Sequence, residues 1–103
     1  MDVIDRLFRS LAHPYRRELL LELVRRDGEQ RLPVAEAVTD PTVNRTSFEI
    51  EMCHNHLPRL DECGLVEWHR DAGEVSKGPL FDDIEPLLES IRDELDPTVT
   101  EEI

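Results

Sequence analysis

The stretch from His56 to Val66, His56-Leu57-Pro58-Arg59-Leu60-Asp61-Glu62-Cys63-Gly64-Leu65-Val66, constrains this chain more than any other part of it. With Glu67-Trp68-His69-Arg70 behind it, it reads as the second half of a helix, a glycine stop and the first strand of a hairpin. Leu57 and Leu60 fall on one helical face, and Gly64 stands where a left-handed residue ends a helix. Leu65-Val66-Glu67-Trp68-His69 then alternates as a strand, Asp71-Ala72-Gly73 gives a turn, and Glu74-Val75-Ser76-Lys77 returns. The fold class this implies is mainly α with a small β-hairpin.

Helical spacing extends on both sides. Val3, Ile4, Leu7, Phe8 and Leu11 share one face of a first helix, which Pro14 ends. Pro14 also suits the first turn of a second helix, with His13 as its cap, that buries Leu19, Leu20, Leu23 and Val24 and stops at Gly28. Arg16, Arg17, Arg25 and Arg26 lie along its polar side and read as a solvated face. Pro33 to Val38 predicts a short third helix closed by Asp40-Pro41. Thr46-Ser47-Phe48-Glu49 matches a capping box, opening a fourth helix over about 47–63 with Ile50, Cys53, Leu57 and Leu60 inward. The alternation of Phe48, Ile50 and Met52 with Glu49 and Glu51 leaves a strand open for its first residues. Pro58 lacks an amide and crowds the carbonyl of His54, so a kink or break is expected there. After Gly78-Pro79, a last helix from about Leu80 to Leu95 places Phe81, Ile84, Leu88, Ile91 and Leu95 at three- and four-residue steps, although Pro86 weakens its start.

This order resembles that of winged helix-turn-helix domains. Leu11-Ala12-His13-Pro14-Tyr15-Arg16-Arg17-Glu18-Leu19-Leu20 and the stretch from His56 to Val66 resemble the ArsR-like branch of such regulators, and the His-Leu-Pro-Arg-Leu version is similar to a haloarchaeal group within it. The resemblance implies one winged domain over 1–96 with a frayed acidic tail at 97–103, a recognition helix over about 47–63 and a wing over about 65–77. It also implies double-stranded DNA as the partner. Glu51, Met52, His54 and Asn55 take the positions that face bases, where imidazole and amide groups can donate and accept at base edges. Arg45, Arg59, Arg70 and Lys77 stand as phosphate contacts, the last two from the wing.

The charge argues the other way. The chain has 24 acidic and 12 basic side chains, a formal net of −12, and all but one of the basic residues are arginine. An acidic, lysine-poor surface resembles that of proteins working in molar salt. At about 1 M salt the Debye length is roughly 3 Å, so net charge repels DNA only weakly at a distance. The same salt removes most of the counterion-release gain from each phosphate contact. The loop before the fourth helix is longer than the family's tight turn, and that helix begins acidic. Both features favour the alternative, a protein-interaction module that kept the winged fold.

At 103 residues one core is expected, and dimerisation would help it. The first and last helices carry more apolar residues than a small monomer core needs. Val3, Ile4, Leu7, Phe8, Phe81, Ile84, Leu88, Ile91 and Leu95 are therefore expected at a homodimer interface, with a near-palindromic operator as its counterpart. Cys53, His54, His56 and Cys63 crowd together, but Cys63 lies more than two turns beyond Cys53. The resemblance implies that Cys53 takes a buried aliphatic position and Cys63 the small position before the glycine, both small core residues, and metal or redox sensing is the weakest alternative. No cofactor, metal or catalytic constellation is called for, so an enzyme is not expected. No apolar run is long enough to span a bilayer, and the first five residues lack the regions of a secretion signal, which makes the cytoplasm the expected location.

Overall fold

The computed structural model describes residues 3–28, 30–38 and 40–95; the side chains of Val3, Ile4 and Leu95, and the tail at 97–103, lie outside the described residues. The chain is mainly helical with a small antiparallel sheet. Helix α1 (Val3–Leu11) and α2 (Pro14–Val24) lead to a short strand β1 (Leu32–Pro33) and one 3₁₀ turn, Val34–Glu36. A long helical rod follows: α3 (Arg45–Glu51), a π turn (Met52–His56) and α4 (Leu57–Glu62). The hairpin β2 (Val66–His69) and β3 (Glu74–Lys77) and the last helix α5 (Phe81–Leu95) complete it. No described helix is long and apolar enough to cross a membrane.

Local chemistry explains most of the boundaries. Nδ1 of His13 accepts from the Tyr15 amide at 3.1 Å, so the expected cap of α2 forms. Arg17 closes the preceding helix by donating to the Leu11 carbonyl. Gly64, at φ +82°, ends α4: the Leu65 amide donates to the Leu60 carbonyl and the Gly64 amide to that of Asp61. That is a Schellman cap, and its flanking leucines, Leu60 and Leu65, are both buried. Helix α5 runs through Pro86.

Three expectations need correction. The hairpin is part of a three-stranded sheet of order β1-β3-β2, because Leu32 pairs with Val75 and Pro33 with Glu74. The third helix shrinks to the 3₁₀ turn, since Pro33, read as a helix start, lies in an edge strand that tolerates its missing amide. The rod is capped by Asn44, whose side chain accepts from the Ser47 amide, and not by Thr46; α3 therefore begins two residues earlier than expected. Within the rod the kink or break expected at Pro58 takes the form of a π turn, in which the Leu57 amide reaches back five residues to the Met52 carbonyl. The wider turn gives the Pro58 ring room beside the carbonyl it would otherwise strike.

That extra residue resets the inward face. Phe48, Met52, Leu57 and Leu60 are the buried hydrophobic residues of the rod, at steps of four, five and three, while Ile50 (53% exposed) and Cys53 face outward. They meet Leu19, Leu20 and Leu23 of α2 and Phe81, Ile84 and Leu88 of α5 in one core. Leu7, Phe81, Ile84 and Leu88 are thus fully buried within the chain and have no surface left for a second copy. Of the expected interface residues whose side chains are described, Phe8 (58% exposed) and the half-buried Ile91 retain exposed surface.

Candidate nucleic-acid interface

Two connections hold the rod against the hairpin. The Trp68 amide, on edge strand β2, donates to Asp61 Oδ2 at 2.9 Å, and the Arg70 guanidinium stacks 4.3 Å from the centroid of the Trp68 ring. A second lock lies at the far end of the hairpin, where the Gly78 amide donates to the Leu65 carbonyl and the Leu80 amide to that of Gly64. A side chain at Gly78 would stand 2.5 Å from the Gly64 carbonyl oxygen and 2.7 Å from the Val66 nitrogen. Both are backbone atoms, so only glycine fits.

Arg45, Glu51, His54, Asn55 and Arg70 are exposed, the first at the start of the rod, the next three on its middle turns and the last at the hairpin tip. Asn55 Nδ2 donates to Glu51 Oε2 at 3.0 Å, one helical turn back. This pairing orients both side chains and occupies one donor of the amide.

Met52 and Lys77 are not available for contact. Met52 is fully buried, because the π turn rotates it inward. Lys77 is a 10% exposed side chain whose Nζ lies 2.7 Å from Glu85 Oε2, an ion pair tying β3 to α5. Arg59 is exposed and lines a cavity with Arg6, Arg9 and Arg16.

The histidines and cysteines separate. His56 is 6% exposed, with its ring 4.2 Å from that of His13, and both of its ring nitrogens are unpartnered among the described residues. Burial, then the positive potential of His13 and Arg16, holds its pKa down at about 4, so it is neutral near pH 7. Tyr15 packs edge-on against Phe48 beside this pair. Cys53 points outward, contrary to its expected core position, and desolvation followed by the Glu49 carboxylate pushes its thiol up. Cys63 is half-buried against the core. Among the described residues no three of His, Cys, Asp and Glu converge as metal ligands.

Residues 8–76 match the sequence profile of a domain of unknown function, DUF7344. That stretch is more than half of the chain, so the chain belongs to this family. It contains the whole rod and all but the last residue of the hairpin, and leaves α5 outside. No curated protein and no solved structure matches the chain.

Proposed function

We propose that this chain is a winged helix-turn-helix domain that binds duplex DNA as a homodimer and regulates transcription. The observation that carries the reading is the tie between the rod and the hairpin through Asp61 and Trp68. It holds the exposed middle of a helix beside a hairpin tip that carries Arg70, the juxtaposition a recognition helix and wing require. The ArsR-like stretches at 11–20, ahead of the rod, and at 56–66, where rod meets hairpin, support it. His54 and Asn55 would meet base edges, with Glu51 accepting from a cytosine amino group, and Arg45 and Arg70 would meet phosphates. Exposed Phe8 on α1, which packs on α5, supports dimerisation through those two helices.

Selection from fragmented genomic DNA in molar KCl tests the reading. An enriched near-palindrome whose binding Asn55→Ala and Arg70→Ala weaken supports it, and no enrichment rejects it. Light scattering at micromolar protein in the same salt tests the dimer: a monomer rejects that part, and Phe8→Asp should convert a dimer to monomers without unfolding it.

A second reading, a protein-interaction module on the same fold, is favoured by one observation. The outward turn of the rod carries exposed Ile50 beside Glu51, and Glu51 holds the Asn55 amide. Unenriched DNA together with a partner interaction lost in Ile50→Arg would support it.

A further inference from the structure

Four of the eleven arginines converge on one cavity. Arg6 and Arg9 come from α1, Arg16 from α2 and Arg59 from α4, and they line a recess of about 470 Å³ with Leu60 at its wall. In a chain of net charge −12 this is a local reversal of sign. Glu62 is the one carboxylate among the lining residues. No ion pair within 4 Å engages any of the four guanidiniums among the described residues. The Ser10 hydroxyl beside them donates to the Arg6 carbonyl at 2.8 Å and has no proton left to offer. Arg16 is half-buried, and its Nε is fully buried without an acceptor. Burial and the neighbouring Arg59 charge both lower its pKa, which marks guanidiniums crowded without neutralisation.

We propose that this cavity binds a small molecule carrying at least two anionic oxygen groups, phosphate or carboxylate, clamped by Arg6, Arg9, Arg16 and Arg59. Guanidinium forks match phosphate and carboxylate bidentately, and this geometry still discriminates when molar chloride screens simple charge. The recess has the volume of a small-molecule site. Its concave form suits a compact ligand better than a duplex, whose phosphates lie on a convex surface. Because the arginines come from three helices, an occupant would tie α1 to α2 and to the end of the long rod. The proposal is independent of DNA binding.

The test is thermal unfolding of the full chain in 1 M KCl with 10 mM sodium pyrophosphate or sodium citrate, ionic strength matched with KCl. A bound anion should raise the midpoint by about 5 °C or more, and calorimetry should give one site per chain. Arg59→Gln and Arg9→Gln, both at exposed positions, should remove the shift. Arg31→Gln, outside the cavity and paired with Glu74, should keep it. A shift with pyrophosphate alone assigns phosphate chemistry, one with citrate alone assigns carboxylate chemistry, and either supports the site. No shift, or an equal shift in Arg59→Gln, overturns it. A shift that only duplex DNA produces and Arg59→Gln abolishes also overturns it, returning Arg59 to a backbone contact.

Discussion

Asp61 and Trp68 are joined by a 2.9 Å hydrogen bond in which a helix carboxylate accepts from the backbone of an edge strand. The strand's other side is paired with β3, so this bond supplies the partner that the sheet cannot. Asp61→Ala should cost about 1 kcal/mol of stability, the usual net worth of one such bond at an accessible site. Its more specific signature is faster hydrogen exchange at the Trp68 amide with little change at Val66. Equal protection of Trp68 in variant and parent would remove this coupling from the account.

Gly78 should be the least replaceable glycine. Its missing side chain would strike backbone at the Gly64–Val66 junction, which can retreat only by opening the Schellman cap. Gly78→Ala should lower stability by about 3 kcal/mol. Gly73, at φ +66° with open space around it, should lose only about 1 kcal/mol on the same change. Urea unfolding of the two variants gives the comparison, and a reversed order would contradict the packing.

Met52 and His54 separate core from surface within three residues. Met52→Ala should destabilise the fold by roughly 2–5 kcal/mol by leaving a void among core side chains. His54→Ala should change stability by less than about 0.5 kcal/mol while weakening any DNA complex. A stable Met52→Ala protein would mean that the π turn does not set the register described.

His56 makes stability fall in mild acid. Its pKa is about 4 in the folded chain, against an ordinary value of 6.5. The unfolded chain therefore binds the proton more readily, and stability is complete above about pH 6.5. It declines as pH falls toward about 4. His56→Phe keeps an aromatic ring beside His13 and Tyr15 and should flatten that part of the profile. Subtracting the two profiles removes the carboxylates that titrate in the same range; identical slopes would refute the assignment.

The legible parts of the fold were those fixed by neighbouring residues. The cap at His13, the left-handed stop at Gly64 and the hairpin turn at Gly73 each depend on a few adjacent groups, and all three form. The inward face of the rod departs from a constant helical period because the π turn interrupts it just before Pro58. With one residue absorbed in the π turn, Ile50 and Cys53 turn outward and Met52 turns inward. Strand β1 escaped notice because two residues, one of them proline, show no alternation; only pairing with β3 makes them a strand. At the candidate interface, exposure of His54, Asn55 and Arg70 agrees with the reading, whereas burial of Lys77 depends on Glu85 eight residues away. The arginine cavity had no local signal either, since its walls come from three separated helices.

The π turn also bears on descent. Removing one residue between 52 and 56 would let the rod become an ordinary α-helix, but would rotate Arg45–Glu51 by about 100° relative to Leu57–Glu62. Phe48 would then leave the core unless an apolar residue at another position replaced it. Related chains should therefore divide into two length classes, one keeping both the extra residue and the proline that follows it, the other lacking both and shifting its inward aromatic by one place. A gap in this helix would record a change in the direction its outer face points, made in a single step.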